Sequence, residues 1–276
     1  MFRLGAATRK HLHITKEIFE CYRANGIKAM EISPSYSEMG FDFAIDHVKA
    51  TDYKLLAKYA QETEVELWSQ HLPYGMKEYN PANLDKAFRE KTIEMDCEIL
   101  KIISDAGIRV AVIHPSGEPV KDSERSDGLK YAAESILKIN ETARACGITL
   151  AVENLPRTCL CNHSDELLQI IDADNTLRVC FDVNHLLIQS HKDFVDAVGS
   201  KIVTLHISDY DFTDEKHWLP GEGKINWPEL LTLLKGINYA GPFMNEVAAF
   251  PDSNVSHGCA SYAQLKAANE KILGYL

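Results

Sequence analysis

Hydrophobic and polar positions along the chain alternate between two patterns. Short runs rich in Ile, Val and Leu give way repeatedly to longer stretches whose apolar residues recur at helical spacing. The short runs predict strands over Phe2–Ala6, Ile27–Ile32, Val65–His71, Ile108–His114, Ile148–Glu153, Arg178–Asp182, Lys201–Ser208 and Pro242–Val247. The longer stretches predict helices over Thr15–Asn25, Asp52–Glu62, Leu84–Ala106, Ser126–Cys146, Ser164–Asp172, Lys192–Val198, Trp227–Leu234 and Ser261–Leu276. Gly26, Gly107, Gly147 and Gly199 follow helix ends, where positive φ is cheap for glycine. Ser164 reads as an N-cap, and Pro228 falls in a first helical turn.

Strands this apolar need cover on both faces, which implies a parallel sheet under helices. About eight βα units in 276 residues fit an α/β fold, a (β/α)8 TIM barrel forming a single domain over residues 1–276. A doubly wound open sheet is the alternative, but it usually has a glycine-rich first βα turn that this chain lacks.

Composition removes some function classes. Hydrophobic residues make up 45% and charged residues 25%, which is ordinary for a globular chain. No apolar run approaches the roughly 20 residues that span a bilayer. The start, MFRLGAATRK, has neither the apolar segment nor the cleavage site of a secretory signal, so a soluble, cytoplasmic protein is expected. Lys plus Arg is 29 against 40 for Asp plus Glu, a formal charge of −11. A nucleic acid would be repelled unless cations were gathered locally, and no Lys/Arg run gathers them. Neither nucleic acid nor membrane is an expected partner; association into a homo-oligomer is left open. The seven cysteines read as reduced thiols. Cys159 and Cys161 form a CxC without a second pair at metal-binding spacing, and are read as buried or incidental.

The chemistry lies at the strand ends. His71 (QHLPYG), His114 (VIHP), Glu153 (LAVENLP), Asp182 (VCFDVNH), His206 (VTLHISD) and Glu246 (FMNEV) close or nearly close six consecutive expected strands. In a parallel barrel those ends meet around one mouth, where barrel active sites lie. A lone His or Glu there is commonly structural. Carboxylates crowded in register at a dry mouth repel one another, and a divalent cation removes that penalty. The best ligand set is Glu153, Asp182, His206 and Glu246, which suits Mn, Mg, Co or Zn. His71 and His114 either join Glu153 on a further ion or orient the ligands and substrate by hydrogen bonds. His185, Glu215 and His217 either form another metal position or contact substrate, with Glu215 a solvated loop acid. Gly221 and Gly223 permit a tight turn in HWLPGEGKINW, which is not a P-loop. Arg157 either meets an anionic ligand group or is solvated at the rim. Trp218, beside His217, is a candidate substrate wall; Trp227 reads as packing. Glu31 ends the second strand and is placed near the mouth. Cys180, Phe181 and Met244 read as strand-core packing.

In these segments, ENLPR, FDVNH, HISD, PGEGKINW and GPFMNEV above all, the sequence resembles the xylose isomerase-like TIM-barrel superfamily. That group includes sugar and sugar-phosphate isomerases and epimerases and the endonuclease IV repair enzymes. The resemblance to the epimerase branch implies one metal on Glu153, Asp182, His206 and Glu246, with Glu153 and Glu246 as the catalytic proton carriers. It also implies sugar contacts from His185 and His217, although the second position is often Arg in that branch. The resemblance to the endonuclease branch implies three zinc ions on His71, His114, Glu153, Asp182, His185, His206, Glu215, His217 and Glu246; that branch has Asp where this chain has Glu215. Charge favours the first branch. The expected function is isomerisation or epimerisation of a ketose or related α-hydroxycarbonyl through a metal-stabilised enediolate. The alternative is an endonuclease IV-like multinuclear zinc phosphoesterase.

Overall fold

The eight expected strands form and lie side by side. A computed structural model describes residues 2–9, 11–36, 39–250 and 259–275. Its main sheet comprises β1 (Leu4–Ala7), β2 (Ala29–Ile32), β3 (Glu66–His71), β4 (Val110–Ile113), β5 (Thr149–Glu153), β6 (Arg178–Asp182), β7 (Ile202–His206) and β8 (Phe243–Asn245). Neighbouring strands pair in parallel, in the order β7-β6-β5-β4-β3-β2-β1-β8. The two edges meet where Ile207 pairs with Asn245. There Ile207 N–H donates to Met244 O at 2.7 Å and Glu246 N–H to Ile207 O at 2.9 Å. The sheet thereby closes into a (β/α)8 barrel.

The helices among the described residues are α1 (Lys16–Ala24), α2 (Phe41–Ala50), α3 (Tyr53–Thr63), α4 (Lys86–Ser104), α5 (Asp122–Ala145), α6 (Ser164–Ile171), α7 (His191–Val198), α8 (Trp227–Gly236) and α9 (Tyr262–Leu273). None of the helices is long and apolar enough to cross a membrane. A small parallel pair, β9 (Ala248–Phe250) and β10 (Cys259–Ser261), precedes α9.

Strand alternation sorts the side chains. Ala111, Ile113, Leu150, Val152, Val179, Phe181, Leu205 and Phe243 belong to the large core that the helices cover. Their neighbours Val110, Val112, Ala151 and Cys180 form a separate apolar cluster, with Trp68 and Val203 packed against it, inside the barrel. One period further along each strand, the same inward direction delivers His114, Glu153 and Asp182 to the C-terminal mouth.

Four local expectations need correction. Helix α2 was not anticipated, nor was the β9/β10 pair. Ser164 is the first helical residue of α6, not its cap; the side chain of Gln189 serves it, accepting from Ser164 N–H at 2.9 Å and donating to its hydroxyl at 2.8 Å. Gly199 has φ −48, so positive φ is not its reason. A Cβ there would lie 2.6 Å from Ile237 Cγ2, and close packing explains the glycine.

One core position carries a charge-bearing group. Asp96, on the buried face of α4 with Met95, Ile99 and Ile103, is 2% exposed, and its Oδ1 has no hydrogen-bond partner. Burial pushes its carboxyl well above the usual range. The native state therefore holds a proton that the unfolded chain releases above about pH 4. The associated loss of stability grows as pH rises from there toward the folded-state value. Asp96→Asn should stabilise the protein by about 1–2 kcal/mol near pH 8, and by less near pH 4.5. Thermal unfolding at the two pH values checks this; an equal effect at both would contradict it.

Candidate metal centre

The mouth is built from consecutive strands. His71 ends β3, His114 follows β4, Glu153 ends β5, Asp182 ends β6, His206 ends β7 and Glu246 follows β8. His71, Glu153, Asp182, His206 and Glu246 are each no more than 4% exposed. One ligand atom from each of Glu153, Asp182, His206 and Glu246 lies within 4.8 Å of the others. His71, Glu153 and His206 make a second such group, and His185, Glu215 and His217 a third. His71 Nε2 and His114 Nε2 each lie 3.1 Å from Glu153 Oε2.

Glu153 is the hub. Its Oε1 accepts from His206 Nδ1 at 2.9 Å, and His185 Nδ1 lies 3.6 Å from the same oxygen. Burial pushes its carboxyl up, but His206 and His114 outweigh this and hold it well below the usual range. Glu246 is held at about 2: burial raises it, and Arg9, then His206 and His217, overcome that. Asp182 goes the other way. Burial pushes it well above the usual range against the pull of His185, with Glu246 and Glu153 adding to the shift. Its Oδ1 accepts from Asn184 N–H at 2.7 Å, while Oδ2 is buried without a hydrogen bond, its ion contacts being His185 Nε2 at 3.4 Å and His206 Nδ1 at 3.9 Å. Three carboxylates and an imidazole, with one buried carboxylate oxygen lacking a hydrogen bond among them, fit a divalent cation in chemistry and in charge.

Support comes from behind. His206 Nε2 donates to Glu31 Oε1 at 2.9 Å, and Ser69 Oγ donates to Glu31 Oε2 at 2.6 Å. Glu31 therefore fixes the ring of His206, as outer carboxylates do for metal-binding imidazoles. The side chain of Asn154 bridges the Asp182 backbone, accepting from its N–H and donating to its carbonyl, both at 2.9 Å. The β7–α8 loop is gathered by Asp209. Its oxygens accept from Tyr210 N–H, Ile225 N–H, Gly221 N–H and Trp227 Nε1 at 2.8–3.2 Å. A Cβ at Gly223 would lie 2.3 Å from Asp209 Oδ1, so only glycine fits there. This loop presents His217, whose Nε2 is 2.6 Å from Glu215 Oε1. His185 is raised to about 10, because Asp182 and Glu215 overcome the opposing effect of burial.

The other expected residues are placed as follows. Arg157 takes φ 50 and donates to Glu118, Asp214 and Glu215 at 2.8–3.1 Å. It borders a cavity of about 190 Å3 shared with Tyr74, His114, His185 and Glu215. Trp218 pairs its backbone with Asp209 and is half-buried; it is not among the residues lining that cavity. Trp227 packs at the start of α8, as expected. Cys159 and Cys161 are buried free thiols; burial raises both, Cys159 to about 12. Sequence reading missed Arg9 and Tyr74 at the mouth, and placed Glu31 near it without the contact to His206 that defines its role. A lone Arg after a first strand carries no motif. Tyr74 was visible only as the aromatic of HLPY.

Residues 19–265 match the family model described as xylose isomerase-like TIM barrel. An uncharacterised Methanocaldococcus jannaschii protein is 28% identical over 239 residues, covering 82% of this chain and 79% of that protein. Among solved structures, a D-tagatose 3-epimerase-like protein superposes with TM-score 0.78 at 22% identity, covering 99% of this chain and 97% of its own. D-psicose 3-epimerase of Clostridium cellulolyticum H10 superposes with TM-score 0.75 at 18% identity, covering 99% and 98%. At these identities the superpositions establish a shared fold.

Glu31→Gln keeps the size of the side chain but removes the charge behind His206. Affinity for Mn2+ or Zn2+, measured by chelator competition, should fall on the order of 10-fold or more. Unchanged affinity would show that Glu31 does not support the centre.

Proposed function

Because the chain belongs to the xylose isomerase-like TIM-barrel family, we propose that it is a divalent-metal-dependent isomerase or epimerase of a sugar or sugar phosphate. The observation that carries this reading is the convergence of Glu153, Asp182, His206 and Glu246 within 4.8 Å of one another. The names of the structural neighbours, 3-epimerases of tagatose and psicose, support the substrate class.

Glu153, Asp182, His206 and Glu246 would hold the cation. When bound, a divalent cation polarises a carbonyl and acidifies the neighbouring C–H. The two glutamates are suited to carry the proton. Both are buried, both are held ionised by facing cations and imidazoles, and they come from different strands of the mouth. One takes the proton at a carboxylate oxygen, and the same or the other returns it. Return to the adjacent carbon isomerises the substrate; return to the opposite face epimerises it. His185 and His217 would orient substrate hydroxyls, and the cavity bordered by Tyr74, His114, Arg157 and His185 would take the rest of the molecule.

The third group, His185, Glu215 and His217, favours a second reading, a multinuclear zinc phosphoesterase. The formal charge of −11 argues against a duplex substrate for it.

A ketose panel followed by NMR for C–H exchange in D2O, with metal-loaded protein, tests the first reading. Exchange is expected on at least one ketose, and Glu246→Gln should lower it by roughly 10²–10⁴-fold, with a further loss if metal affinity drops. Full exchange in Glu246→Gln would overturn the two-glutamate mechanism. Metal-dependent incision of abasic duplex DNA without any ketose exchange would replace the reading with the second.

A further inference from the structure

Beside the carboxylates stands a set of hydrogen-bond donors, one of which, Arg9, also helps to hold Glu246 ionised. Arg9 follows β1 and takes φ 21, a costly backbone for a residue with a Cβ. Its Nη1 donates to Glu246 O at 3.2 Å, and its Nε lies 3.9 Å from Glu246 Oε1. A guanidinium has five N–H groups, and this one makes no other hydrogen bond among the described residues. Tyr74 packs its ring on His71 and His114, with centroids 4.3 and 5.0 Å apart. Its hydroxyl and that of Ser33 are both buried and face one another, and neither has a further hydrogen-bond partner among the described residues. Burial pushes the Tyr74 phenol up to about 12 despite the opposing charge of Arg9, so it stays a neutral O–H donor.

Arg9 and Ser33 sit on a common frame. Thr8 joins the tops of β1 and β2: its hydroxyl accepts from Ser33 N–H at 3.0 Å and its own N–H donates to Glu31 O at 2.9 Å. Arg9 is the next residue along. Tyr74 and Arg9 are close enough that each shifts the ionisation of the other. Buried hydroxyls left unpaired are costly and persist chiefly where a ligand or ordered water completes them. Donors from a guanidinium and two hydroxyls suit oxygens that carry negative charge. Arg9 meets Glu246 through one backbone hydrogen bond and a loose 3.9 Å ion contact, which leaves most of its N–H groups for a ligand oxygen.

We propose that Arg9, Tyr74 and Ser33 form a subsite for an anionic oxygen group, a phosphate or a carboxylate, carried by the substrate. The inference rests on the proposed function only in taking the mouth as the ligand site. It narrows the substrate class to sugar phosphates or sugar acids.

The test is calorimetric titration of inorganic phosphate, and separately of acetate, into the metal-loaded protein and into chelator-treated protein. Phosphate should bind both forms if phosphate is the group; acetate should bind instead if it is a carboxylate. Arg9→Met should weaken binding of the favoured anion on the order of 10- to 100-fold, Tyr74→Phe by roughly 3- to 10-fold, and Arg9→Lys by less than Arg9→Met. Metal content is measured in each variant, so that an anion held by the cation alone is recognised by its indifference to Arg9→Met. Absence of anion binding in wild type, or unchanged affinity in Arg9→Met with Tyr74→Phe, overturns the proposal. Anion binding that depends on Arg9, without C–H exchange on any ketose, would leave the subsite standing and remove the isomerase reading. Exchange on neutral ketoses with anion affinity indifferent to Arg9 would do the reverse.

Discussion

Three buried carboxylates crowd together at the top of the barrel, and their mutual repulsion is the constraint around which the mouth is organised. Beneath them, Val110, Val112, Ala151 and Cys180 form an apolar floor that offers no screening. Compensation must come from the sides. Glu153 is met by His71, His114 and His206, and Glu246 by Arg9 and His217. Glu215 is met by His217, His185 and Arg157. Asp182 is compensated least: Oδ2 lacks a hydrogen bond, and the group is pushed toward its neutral form. A positive charge placed among these atoms would relieve the remaining repulsion, which is the physical case for a cation there.

The scaffold holds the charged groups against their own repulsion. Strand closure at Ile207 and Asn245 brings Glu246 beside His206, and Asn154 ties the end of β6 to the residue after β5. Asp209 and Gly223 fold the β7–α8 loop back over the site. Arg157 joins the loops carrying Glu118, Asp214 and Glu215 across the cavity. Several of these residues accept strained backbones: Arg9, Arg157 and His217 have φ of 21, 50 and 51. Such strain is expected where a ligand site fixes side-chain direction at the expense of local preference.

The barrel was legible in the chain because strand and helix periods differ and the apolar runs are well separated. The ligand quartet was legible for a related reason: each member lies at a strand end, and in a parallel barrel every such end faces the same mouth. What the sequence hid depends on contacts between distant segments. Glu31 looked like one more strand end, since Ser69 and His206, which define its role, come from β3 and β7. Arg9 meets Glu246 only once β1 pairs with β8. Helix α2 is a different case. Phe41, Ala44, Ile45 and Val48 follow helical spacing, but the expectation of one helix between each pair of strands left no place for a second between β2 and β3. The β9 and β10 strands are three residues each, too short for periodicity to register.

The most direct test of the account is titration of chelator-treated protein with Mn2+ or Zn2+ in two buffers of different ionisation enthalpy, for wild type and for Asp182→Asn. The account predicts tight binding with release of protons, because the cation displaces those held at Asp182 and His206, and much weaker binding in Asp182→Asn. Absence of tight binding in the wild type, or equal affinity and proton release in the variant, would contradict it.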